Sequence, residues 1–134
     1  MTSNGFSLLR LIMLGATGLV CLAYAILAFT MGRPDPMNPY IPGIMGGLAF
    51  LALTVGGIAA GPQNAGAAND EGYRNDNKRA AAFGYWVAIW LYPIFAVLMI
   101  NGYVQSGVAF ATMGTLTAAA FLLRFVQLDV QGRL

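Results

Sequence analysis

Apolar residues fall into four long runs separated by three connections of different chemistry. The first run extends from about Leu8 to Met31, the second from Ile44 to Ala60, the third from Ala80 to Ile100 and the fourth from Val104 to Phe125. Stretches of about 18 or more apolar residues with few charges predict membrane-spanning helices. The second run is short, and reaches spanning length when Ile41 and Pro42 join its front. The pattern therefore predicts helices over about 8–31, 41–60, 80–100 and 104–125 in a single domain. Ala23-Tyr24-Ala25 has the small-residue spacing of a signal-peptide cleavage site, but the apolar run continues through Ile26 to Phe29, so the first helix is expected to be retained.

The connections punctuate this pattern. Met31 to Pro42 carries four prolines, Pro34, Pro36, Pro39 and Pro42, which oppose a regular helix and favour a stiff, extended loop. Gly61 to Arg79 is polar, opens Gly-Pro-Gln-Asn-Ala-Gly and holds Asp70, Glu71, Arg74, Asp76, Lys78 and Arg79, so it is expected to be a surface loop. Around Asn101-Gly102 there is room only for a tight turn. The expected architecture is an all-α integral membrane protein of four transmembrane helices arranged as two hairpins.

Composition supports that class. The 134 residues are 58% hydrophobic and 9% charged, with a mean hydropathy of +0.67, whereas soluble domains carry about 25% charged residues. So few charges are too few to give a chain this small a solvated surface in water. The distribution of the seven basic residues sets an orientation: with both termini cytoplasmic, Arg10, Arg74, Lys78, Arg79, Arg124 and Arg133 share the inner side and Arg33 alone is outside. A bacterial inner-membrane protein, multi-pass, N-in and C-in, is the expectation. Arg10, Lys78, Arg79 and Arg124 lie at the level where long basic side chains reach lipid headgroups.

Several chemistries lose their means. Histidine is absent and Cys21 is the only cysteine, which removes imidazole-ligated haem, His-based metal sites and a two-thiol redox pair. All five acids, Asp35, Asp70, Glu71, Asp76 and Asp129, are expected in loops or the C-terminal tail, so no carboxylate is expected at mid-membrane depth for proton-coupled transport. The charge pattern offers no basic face for nucleic acid. No catalytic residue, metal ligand or enzymatic activity is expected.

What remains is packing and apolar contact. Helices in lipid associate where small residues let backbones approach, and Gly43, Gly47, Ala52 and Gly56 on the second run and Gly107, Ala111 and Gly114 on the fourth offer such faces. On the third run Phe83, Trp86 and Trp90 recur at helical spacing, joined by Tyr85, Tyr92 and Phe95, a wall able to stack on an apolar pigment, quinone or lipid, or on a partner helix. Pro93 is expected to kink that helix near Ile89. Asp70-Glu71, Arg74, Lys78-Arg79-Ala80 and Gly84-Tyr85 together resemble a D-E-R-x-x-x-I-x-x-K/R-A-x-x-x-A/G-Y pattern of small predicted membrane proteins of bacteria and archaea. Gly72 stands where that pattern has Arg and Asp76 where it has an aliphatic residue, and the resemblance implies a helical-hairpin membrane protein without an assigned activity.

The functional expectation is an accessory or structural subunit packing beside a larger bacterial membrane complex, respiratory, photosynthetic or transport, with membrane lipids and other subunits as partners. One alternative is a homo-oligomeric channel or transporter lined by Thr54, Thr112, Thr115 and Thr117. Another is a quinone-, pigment- or lipid-binding protein built on the aromatics of the third run.

Overall fold

A computed structural model describing residues 1–134 contains four helices and no sheet: α1 (Ser3–Met31), α2 (Tyr40–Ala68), α3 (Glu71–Ile100) and α4 (Ser106–Arg133). Each is long and apolar enough to cross a membrane. Their ends are set by local chemistry. The Thr2 side chain accepts from the Gly5 N–H to open α1, and Gly32, at φ 63°, closes it in the left-handed conformation that costs glycine least.

The main departure from the sequence expectation is the polar stretch 61–79, which is helical on both sides of Asn69-Asp70 rather than a loop. Gly61 adopts φ 77° and ψ 165°, a conformation essentially restricted to glycine, and so breaks the direction of α2. Pro62 follows, at a first-turn position where its missing N–H leaves no bond unmade, and the chain winds on to Ala68. Asp70 then accepts the Tyr73 N–H at 3.0 Å, with Glu71 in the first turn, starting α3 nine residues before the apolar run. The end of α4 likewise extends past the expected Phe125 to Arg133, and α3 continues through Pro93 without a non-helical residue.

Three helix pairs pack closely: α1 with α2, α1 with α4, and α3 with α4. The helices thus form a bundle ordered α2, α1, α4, α3 that stays open between its outer members. Because α2 and α3 are joined only through Asn69-Asp70, the kinked segment after Gly61 is what lets the chain cross from one edge to the other. Its passage runs past the start of α1: the Met1 amino group donates to the Ala59 carbonyl, and Asn64 Nδ2 to the Met1 carbonyl.

Each interface contains a glycine whose missing side chain leaves room for the facing helix. A Cβ at Gly56 would lie 2.7 Å from Leu9 of α1, one at Gly18 would meet Leu122 and Leu123 of α4, and one at Gly84 would lie 3.1 Å from the Cβ of Phe121. Alanine is the commonest of the other buried residues, among them Ala25, Ala28, Ala80, Ala109 and Ala119, and Phe125 is the one large side chain that is fully buried. At the opposite end of the molecule from Met1, the Tyr24 hydroxyl donates to the Pro34 carbonyl at 2.7 Å and holds the proline-rich loop against α1.

Candidate functional site

The most developed polar constellation lies where the start of α1, the end of α2, the start of α3 and the end of α4 meet. Its centre is Arg10, only 4% exposed. Arg10 NH1 donates to the Ala68 carbonyl at 3.0 Å and to Asn69 Oδ1 at 2.8 Å. Its NH2 stands 3.6 Å from Asp129 Oδ1, an ion-pair distance longer than a hydrogen bond. The guanidinium lies over the Tyr73 ring, 4.0 Å from its centroid, and 5.6 Å from that of Phe125, while the two rings meet edge to face.

Elementary electrostatics accounts for this placement. Burying a cation is costly unless it is paired and hydrogen-bonded, and a planar guanidinium satisfies more of those demands than an ammonium does. Here it meets the terminal carbonyl of α2, near the negative end of that helix dipole, a carboxylate in the last turns of α4, and an aromatic face. Asp129 is shared: its Oδ2 accepts from Arg133 Nε at 3.0 Å and Arg133 NH2 at 2.8 Å. One buried nitrogen, Arg10 Nε, has no partner. Beside the cluster is an open polar cavity of about 290 Å³ with Ser3, Ser7, Asp70, Asp76 and Arg133 in its walls. These groups can hold charge and tie four helix ends together.

For Arg10, internal partners therefore occupy the guanidinium that was expected at lipid headgroups. Lys78 and Arg79 are exposed on the first turns of α3. Arg124 is half-buried, donates to Gln127 Oε1 at 2.7 Å and lies 5.6 Å from the Phe83 ring centroid. Phe83 also lines a shallow groove with Leu116, Ala120 and Leu123, whereas Trp86 and Trp90 are exposed along the outer side of α3, Trp90 at 65%. The expected aromatic wall is thus divided: Tyr85, Trp86, Trp90 and Tyr92 are exposed, whereas Phe95 is buried against Phe29 of α1.

The small-residue faces divide. Gly56 is an internal contact, a Cβ at Gly107 would stand 3.4 Å from the Cβ of Pro34, and Ala52 and Ala111 are half-buried. Gly43, Gly47 and Gly114 are exposed, with no atom within 4 Å of where a Cβ would stand. Sequence reasoning missed Asn69, Tyr73 and Asp129 as partners of Arg10, since they lie far along the chain. The one available hint was two opposite charges, Arg10 and Asp129, placed at matching levels of the first and last helices.

No protein-family model, curated protein or solved structure matches this chain.

Proposed function

We propose that this chain is a multi-pass protein of a bacterial inner membrane, two helical hairpins with both termini cytoplasmic, and that it packs as an accessory or structural subunit beside a larger membrane complex. The orientation rests on the six basic residues gathered at the polar end against the single Arg33 in the proline-rich loop. Helices of 28 to 30 residues are about 42–45 Å long, against a hydrocarbon core of about 30 Å. In this orientation the excess length would leave the polar turns of α2, α3 and α4 at the inner surface, with Lys78 and Arg79 exposed toward anionic headgroups.

The observation that carries the subunit reading is the open glycine face at the start of α2. A Cβ at Gly43, Gly46 or Gly47 would meet no atom of the chain within 4 Å, on a helix whose one close packing partner is α1. In lipid, glycines gain their effect by letting a second backbone approach, so a glycine face left open within the chain suits another membrane helix. Purification in mild detergent tests the reading. The chain is expected to migrate with a larger assembly, and Gly43→Leu/Gly47→Leu is expected to release it without unfolding it. Recovery of the unaltered chain only as a free 14.2 kDa species would count against the proposal.

A further inference from the structure

Because α1 and α3 both pack on α4 and not closely on each other, a strip of α4 between them stays uncovered. Two cavities follow that strip and share Leu116 as a lining residue, so that together they make one trough. The first, of about 300 Å³, lies toward the proline-rich loop, with Ile26 of α1 and Ile94 of α3 at its sides. The second, of about 240 Å³, continues toward the polar end over Ala120 and Leu123, beside Phe83 of α3, and finishes at Arg124 and Gln127. Thr112 and Arg124, at the two ends of the trough on α4, stand about 18 Å apart along the helix. That is a little more than half of a hydrocarbon core of about 30 Å, the depth that the chains of one leaflet occupy.

The two ends differ in chemistry. The first cavity offers hydrocarbon alone, since Thr30 Oγ1 donates to the Ile26 carbonyl at 2.8 Å and Thr112 Oγ1 is buried out of reach. The second ends on a cation. Arg10 and Arg124 are the two basic residues of the chain that are withdrawn from full exposure. Arg10 meets a carboxylate, whereas both ion pairs of the chain use Asp129 and neither includes Arg124. Arg124 NH1 donates to Gln127 Oε1 at 2.7 Å, and the guanidinium lies 5.6 Å from the Phe83 ring centroid. These contacts orient the group at the end of the trough and engage one of its five N–H donors.

We infer that this trough binds one anionic phospholipid, a single acyl chain lying along α4 between α1 and α3 and the phosphate at the Arg124 guanidinium. The charge that Arg124 lacks within the chain is then supplied by the ligand, and forked N–H groups match the oxygens of a phosphate. A phosphodiester stays ionised at a bilayer surface, whereas the carboxyl of a free fatty acid takes up a proton more readily where it is desolvated. The trough is open along its length, so the second chain of the lipid stays in the bilayer. The inference rests on the membrane reading and does not depend on a partner subunit.

The test reconstitutes the full chain in phosphatidylcholine nanodiscs holding phosphatidylglycerol or palmitic acid at the same mole fraction, releases it into mild detergent and counts retained lipid by native mass spectrometry. The unaltered chain is expected to keep one phosphatidylglycerol molecule in preference to phosphatidylcholine, and not to keep palmitic acid. Arg124→Gln is expected to lower that retention roughly fivefold, the worth of one basic residue at an anionic surface, and Arg124→Lys to preserve most of it. Arg74→Gln, an exposed cation that lines neither cavity, is expected to change nothing. Ile94→Trp, at the exposed rim of the apolar cavity, is expected to weaken retention although the phosphate site is untouched. Circular dichroism melts in the same detergent, with midpoints close to that of the unaltered chain, show the variants to be folded. Retention unchanged in Arg124→Gln, lost equally in Arg74→Gln, indifferent to Ile94→Trp, or taken over by palmitic acid would overturn the inference. Insertion without any retained phosphatidylglycerol overturns the trough alone, whereas a chain that never enters the nanodiscs overturns the membrane reading with it.

Discussion

At Arg10 the energetic question is which partner matters most. Removing one member of a buried ion pair costs about 3–5 kcal/mol when the other is left uncompensated. The two sides are unequal here, because Asp129 retains both hydrogen bonds from Arg133 if Arg10 is lost. Arg10, by contrast, keeps only neutral groups if Asp129 is lost. Asp129→Leu is therefore expected to destabilise by about 3–5 kcal/mol, and Arg10→Met by about 1–3 kcal/mol, chiefly through the donor lost to the Ala68 carbonyl and Asn69. Reversible unfolding in mixed micelles measures both. An Arg10→Met cost exceeding that of Asp129→Leu would place the stabilisation in the stacking on Tyr73 rather than in the charge pair. The sequence shows a lone arginine in an apolar run, and headgroup contact is the cheaper arrangement for such a residue in isolation; its burial follows from partners brought in by three other helices.

At the scale of elements, the glycines separate into those that fit neighbours and those that do not. Gly84 faces the Phe121 backbone as well as its Cβ, so a larger side chain there meets atoms that cannot swing aside. Gly84→Leu is expected to cost at least about 1–3 kcal/mol by overpacking α3 against α4. Gly114→Leu, in open space, is expected to be neutral or slightly stabilising within the chain, because leucine is the better helix former. Circular dichroism melts of the two variants in the same detergent give the comparison. Gly61 acts differently: with φ at 77°, Gly61→Ala is expected to lose about 1–3 kcal/mol and to straighten α2. A distance measurement between spin labels at Thr54 and Asn77 reads that change, and an unchanged separation would show that the crossover does not depend on the bend. Periodicity marked the four apolar spans well but not the helical polar turns. Residues 61–79 lack an apolar stripe, and only the Asp70 cap and the Gly61-Pro62 break reveal where helix stops and starts.

The whole molecule is an open arrangement rather than a closed bundle, and its two outer helices, α2 and α3, leave most of their apolar surface uncovered. Phe50, Ile58, Trp86, Trp90 and Ile100 are all exposed on them. That surface needs lipid or another protein, which gives the orientation a direct test. In a Cys21→Ser background, Asn75→Cys is expected to react with a membrane-impermeant maleimide only from the cytoplasmic side, and Met37→Cys only from the outside. Labelling of both from one side would overturn the proposed topology.

Sequence alone determined that four helices form, because run length and apolar content are local properties and each backbone group is satisfied within its own helix. It also determined where charge is scarce and that one end of the chain's spans is basic. Tertiary structure decided which faces meet: it matched Gly18, Gly56 and Gly84 to neighbours while leaving Gly43 and Gly47 open, since close approach is a property of two surfaces and not of one. It also gathered Arg10, Asn69, Tyr73 and Asp129 into one cluster. Hydrogen bonds and ion pairs act over a few ångströms, so residues more than a hundred positions apart acquire a common chemistry only after the helices have packed.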